Sequence, residues 1–250
     1  QPNSDAWATS GESISVSVFQ ATPEEYFCVS FELKRPGPDR FLVWDLLRET
    51  DPYYLNQHFF DSDMSAIEAD LEKRQQPGKP VISYLAYALA AYSRALMKYS
   101  ELNSYLRLYP FTRLAVFDGV DIAITVEREW QGTRIVLLSV LREAHKLSVN
   151  DINAFLSEKR DRPLEDLDEF TRYRNLLKIP AFCRWHLFQL FIKPFPGLMR
   201  QMFGTTAFTS VGKYGSTLTA PLSPRSCTLS LGHIEKRPRV RGTEVKPALS

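Results

Sequence analysis

The chain has 250 residues, 44% of them hydrophobic and 24% charged, with a formal net charge of +2; this is enough to bury one sizeable core and excludes extensive disorder. A charge this mild excludes recognition of a polyanion by bulk electrostatics, so no nucleic-acid partner is expected. Cys28, Cys183 and Cys227 are far apart and show no paired spacing, which excludes a disulfide framework or a zinc site, and no run of about 18 apolar residues suggests a membrane span. An intracellular, cytoplasmic protein without a metal is expected.

Residues 1–12 are polar and aperiodic and read as a flexible end. Residues 13–19 (SISVSVF) alternate through Ile14, Val16 and Val18, and 26–34 (YFCVSFELK) through Phe27, Val29, Phe31 and Leu33, the period of half-buried strands. The run RPGPD at 35–39 ends this N-terminal β-element. Residues 83–99 (SYLAYALAAYSRALMKY) carry apolar residues on most faces and predict a largely buried helix. Residues 161–171 form an acidic surface stretch. The segment 178–203 (KIPAFCRWHLFQLFIKPFPGLMRQMF) then combines many large apolar side chains, among them Phe182, Trp185 and Phe191, with four cations and no acid. Such a segment can lie on a membrane surface. Pro194 and Pro196 break its period, and packing or subunit contact is the expectation taken here. The basic run 236–241 (KRPRVR) lacks interleaved aromatics and reads as a solvated hairpin.

Eight further segments, taken in order, resemble one family. They are 54–64 (YLNQHFFDSDM), 65–74 (SAIEADLEKR), 101–105 (ELNSY), 115–127 (AVFDGVDIAITVE), 133–141 (TRIVLLSVL), 147–159 (LSVNDINAFLSEK), 204–212 (GTTAFTSVG) and 227–232 (CTLSLG). They are similar to the early strand and its helix, the PELNASL turn, the VDIGVAV and GLVVPVI strands, the KSLAEIAREI helix, and the GTFTISNLG and AILGVG strands of the 2-oxoacid dehydrogenase acyltransferases. The resemblance spans about 40–250. It implies a chloramphenicol acetyltransferase-like α/β fold, a mixed sheet flanked by helices, to which the N-terminal β-element (1–39) would be an addition. It also implies acyl transfer between coenzyme A and an acceptor, in a homo-oligomer, expected to be a trimer, with active sites between subunits.

In that family the histidine of an HxxxDG motif removes the proton of the attacking thiol or hydroxyl, and a serine stabilises the oxyanion. Aligning Gly212 with the last glycine of GTFTISNLG places Thr209 on that serine, with Ser210 as the neighbouring alternative. An ordinary strand threonine is the competing reading. HxxxDG does not occur, and His58, His145, His186 and His233 are followed at the fourth position by Ser62, Val149, Leu190 and Arg237. The base is therefore unassigned, and the chain is expected to be incomplete at its C-terminal end relative to the family. Two alternatives stand beside an acyltransferase: a non-catalytic oligomeric scaffold and a membrane-surface adaptor. Asp61 and Asp63 share a strand face but lack the further ligands a metal site needs.

Overall fold

The computed structural model describes residues 45, 47, 48, 50, 56–74, 81–107, 111–241 and 244–249. The N-terminal β-element expected over 13–19 and 26–34 lies outside them. The described residues belong to one compact unit.

Six helices and eight strands make up the described fold: α1 (Ser65–Arg74), α2 (Tyr84–Lys98), β1 (Ser104–Arg107), β2 (Arg113–Val116), β3 (Ile122–Trp130), β4 (Thr133–Leu141), α3 (Val149–Asp161), α4 (Asp168–Lys178), α5 (Ala181–Leu187), α6 (Pro196–Phe203), β5 (Thr206–Ser210), β6 (Thr228–Leu231), β7 (Lys236–Arg241) and β8 (Glu244–Leu249). The central sheet has the order β4-β3-β5-β6. β3 and β4 form an antiparallel hairpin, while β5 runs parallel to both β3 and β6. The parallel pair β5-β6 needs a crossover, supplied by residues 211–227, whereas β4 ends and β5 begins opposite the same residue, Ile122, with α3 to α6 lying between them in the chain. The hairpins β1-β2 and β7-β8 stand apart from it.

Side chains alternate across a strand, so Ile122 and Ile124 share one face of the sheet with their partners Leu141 and Ser139, and with Leu137 and Ile135 further along β4. The first part of this face, with Phe208 of β5, packs on Ala86, Leu89, Ala90, Tyr92 and Leu96 of α2 and Ile152 of α3. The second part, Ile135 and Leu137, packs on Phe170 and Tyr173 of α4, where Trp130 meets the Phe170 ring edge-on at 5.5 Å. Ser83 caps α2 by accepting the Ala86 N–H at 3.3 Å. Asn153 of α3 locks that cap, accepting the Ser83 N–H at 2.9 Å and donating to the Val81 carbonyl at 3.1 Å. α3 itself opens with a capping box of Ser148 and Asp151.

Two expectations are corrected. Residues 56–64, the described part of the strand expected over 54–64, form no strand, and all but Met64 are exposed. The Asp63 carboxylate instead accepts the Ser65 N–H at 3.0 Å and starts α1. The stretch 161–171 is not plain surface: Leu164, Leu167, Glu169 and Phe170 are buried, with Glu169 paired to Lys159 at 2.9 Å.

Candidate functional site

β5 places Thr209 and Ser210 on opposite faces. Thr206 shares a hydroxyl contact of 2.5 Å with Tyr92 of α2, and Phe208 is buried against the same helix. By alternation Ser210 follows that face, and Ala207 and Thr209 take the other. The Thr209 hydroxyl lies 3.2 Å from that of Thr125 on β3 and Thr209 is paired with Ser230 on β6. The result is a row of hydroxyls, Thr125, Thr209 and Ser230, above a row of small residues, Ala123, Ala207 and Thr228. The side-chain oxygens of Thr228 and Ser230 are buried without a hydrogen-bond partner. Thr125 is exposed and Thr209 half-buried, so the row is open at these two hydroxyls, which can donate hydrogen bonds to a polar group placed there.

Beyond Thr125 on the same face of β3 stands Glu127. Lys213 holds it at 2.8 Å, the Tyr214 hydroxyl donates to it, and Arg134 lies at 3.7 Å. The hydrogen bonds from Lys213 and Tyr214 hold the Glu127 carboxyl below its ordinary value, and Glu127 in turn raises the Lys213 ammonium. With Arg128 and Glu129 these residues line a shallow depression of about 290 Å³. A carboxylate held low by a cation is a poor base, so this cluster is suited to polar contact rather than proton abstraction.

The site-forming strand is set in place by a junction around Asp121, the aspartate of the VDI run within 115–127. Asp121, just before β3, accepts Arg142 at 3.0 Å, Arg200 of α6 at 3.0 Å and the Glu143 N–H at 2.9 Å. Its carbonyl accepts the Thr205 N–H at 2.7 Å at the entry to β5. Arg200 also binds Asp118 at 2.7 Å and Glu143 at 2.5 Å, while Arg142 donates to the Arg200 carbonyl at 2.9 Å and to the Gln201 carbonyl. Burial pushes the Asp121 carboxyl up, but the Glu143 N–H and the two guanidiniums outweigh it and hold it below its ordinary value. Gly204 completes the joint: its φ is +71°, and an added Cβ would stand 2.5 Å from the Asp121 carbonyl oxygen.

Within one chain, none of the four histidines lies against Thr209. His58 and His186 are exposed, the first in irregular chain and the second on α5. His145 accepts the Val120 N–H through Nδ1 at 3.3 Å, with Nε2 3.8 Å from Glu143, a packing role. His233 is exposed, with Nδ1 3.1 Å from the Gly212 carbonyl; there the two chain segments touch, since a Cβ on Gly212 would lie 2.8 Å from the Gly232 oxygen. Among the described residues no group of histidine, cysteine or acidic side chains could hold a metal ion, and Cys183 and Cys227 are free thiols. Also among the described residues, no helix is long and apolar enough to cross a membrane.

No protein-family model matches the sequence, and no curated protein matches it. Solved structures do match in fold. The dihydrolipoamide acetyltransferase of Azotobacter vinelandii superposes with a TM-score of 0.63 at 16% identity, over 89% of this chain and 82% of that one. The cubic core of a pyruvate dehydrogenase multienzyme complex gives 0.63 at 16% identity, over 92% and 83%. A truncated catalytic core of the 2-oxoacid dehydrogenase complex of Thermoplasma acidophilum gives 0.54 at 17% identity, over 83% and 82%. The fold is that of the 2-oxoacid dehydrogenase acyltransferase catalytic cores, as the eight ordered segments implied.

Proposed function

We propose that the protein is an acyltransferase-fold domain that moves acyl groups between coenzyme A and an acceptor, with Thr209 donating the hydrogen bond that stabilises the oxyanion. The observation that carries this reading is the placement of Thr209, at the C-terminal end of β5 on the open hydroxyl face, in a fold shared with acetyltransferase cores. The acceptor's oxygen or sulfur attacks the thioester carbonyl carbon, negative charge gathers on the carbonyl oxygen, and the carbon–sulfur bond then breaks to release the coenzyme A thiol. When Thr125 donates to Thr209, the Thr209 proton is left to point into the open face, where that oxygen can accept it. The base that takes the acceptor's proton is left unassigned. Because the solved relatives include the cubic core of a multienzyme complex, a homo-oligomer, with the trimer as its unit, belongs to the same proposal.

Thiol release from acetyl-CoA, with thiol and hydroxyl acceptors and with imidazole added as an external base, tests it. The proposal expects protein-dependent release that imidazole accelerates. Release equal with and without protein under all these conditions would leave the oligomeric scaffold as the better reading.

A further inference from the structure

The helical segment between α4 and β5, expected to pack or to meet a neighbouring subunit, leaves much of its apolar surface open in the single chain. Six large apolar side chains along α5, the π-helical turn Phe188–Ile192 and α6 are exposed: Phe182 (71%), Leu190 (65%), Phe191 (60%), Phe195, Leu187 and Leu198. Exposure this high means that they project from the surface rather than line a groove. Together they offer on the order of 600 Å² of apolar surface, at the upper end of what monomers leave uncovered.

Charge chooses between the possible occupants. Over α4 to α6, residues 168–203 contain six lysines and arginines against exposed Asp168 and buried Glu169, the latter paired with Lys159. Two of the six are neutralised from elsewhere, Arg184 by Asp45 at 2.9 Å and Arg200 by the Asp121 junction. Arg172, Arg174 and Lys178 of α4 remain exposed. Arg184 also donates to the Ile179 carbonyl at 2.9 Å, which ties the C-terminal end of α4 to α5. An anionic, apolar partner satisfies both halves of the surface at once.

We propose that the α4–α6 face docks on an anionic lipid bilayer, with Phe182, Leu190 and Phe191 entering the acyl-chain boundary and Arg172, Arg174 and Lys178 meeting the headgroups. This is independent of the acyl-transfer reading. The test is co-sedimentation of the full chain with vesicles of phosphatidylcholine alone or of phosphatidylcholine with phosphatidylserine. The expected result is binding to the mixed vesicles that weakens as salt is raised, with little binding to phosphatidylcholine alone. The triple variant Phe182→Ser, Leu190→Ser, Phe191→Ser should lose about a hundredfold or more in vesicle affinity, and Arg172→Glu with Lys178→Glu should abolish the preference for phosphatidylserine. Its side chains being exposed, the triple variant should keep the wild-type circular dichroism and melting temperature. Equal binding to both vesicle types, no binding to either, or an unaltered triple variant would overturn the proposal. So would a fall in light-scattering mass in the triple variant, since it would make a second copy the occupant.

Discussion

Replacing Asp121 by Asn tests the junction that seats β5. The carboxylate side chain is only 4% exposed and binds guanidiniums that are 44% exposed at Arg142 and 24% exposed at Arg200. Each charge-assisted bond of this kind is worth about 1.5–3 kcal/mol when its partner is stranded. Neither arginine would be stranded, because Arg142 keeps the carbonyls of Arg200 and Gln201, and Arg200 keeps Asp118 and Glu143. The net loss should therefore be about 2 kcal/mol rather than the larger value of a fully broken buried pair. For a chain of this size that corresponds to a fall of roughly 4–8 °C in melting temperature. Since the folded-state value is depressed, the stabilisation is present above the ordinary value of 3.8 and fades as pH falls below it through the lowered one. Urea unfolding followed by circular dichroism at neutral pH and near pH 3 would show the gap between wild type and variant narrowing in acid. A variant within about 0.5 kcal/mol of wild type at neutral pH, or a gap that does not change with pH, would refute the reasoning.

Gly204→Ala should be among the most damaging single changes, costing about 3 kcal/mol or more from backbone strain and the collision with the Asp121 carbonyl. Gly132→Ala, with a similar φ of +72° but nothing within 4 Å, should cost about 1 kcal/mol, so equal effects in thermal melts would contradict the close approach. Tyr92→Phe removes one hydroxyl from the buried contact with Thr206, whose own hydroxyl keeps the Cys227 carbonyl at 2.7 Å. The cost should be about 1 kcal/mol, and in a double-mutant cycle with Thr206→Val the losses should not add; additive losses would show that the two hydroxyls are uncoupled.

Much of the fold was legible because local patterns carried it. The helices over 65–74, 83–99 and 147–159 match α1, α2 and α3 to within two residues at each end, and the strands over 133–141, 204–212 and 227–232 contain β4, β5 and β6. The prolines at 194 and 196 interrupt the aromatic segment as expected, with Pro196 opening α6. What escaped depends on distance along the chain. Asp121 meets partners 21 and 79 residues away, and an aspartate before an apolar strand gives no local sign of that. The opposite facing of Thr209 and Ser210 follows from strand period alone, but only the burial of Phe208 against α2 fixes which of them meets the open hydroxyl face. Period likewise showed where large apolar residues lie in 178–203 without showing that the chain leaves six of them uncovered.

The most direct test of the acyl-transfer site compares Thr209→Val with Ser210→Ala in the thiol-release assay. Val keeps the shape of Thr209 and removes its proton, so protein-dependent release from acetyl-CoA should fall by about 10²–10³-fold, the usual cost of losing one oxyanion donor. Ser210→Ala, on the opposite face, should leave release within about twofold of wild type, as expected of a group that makes no contact with the reacting thioester. Undiminished release in Thr209→Val, or a loss that instead follows Ser210, would contradict the assignment of the oxyanion donor to Thr209.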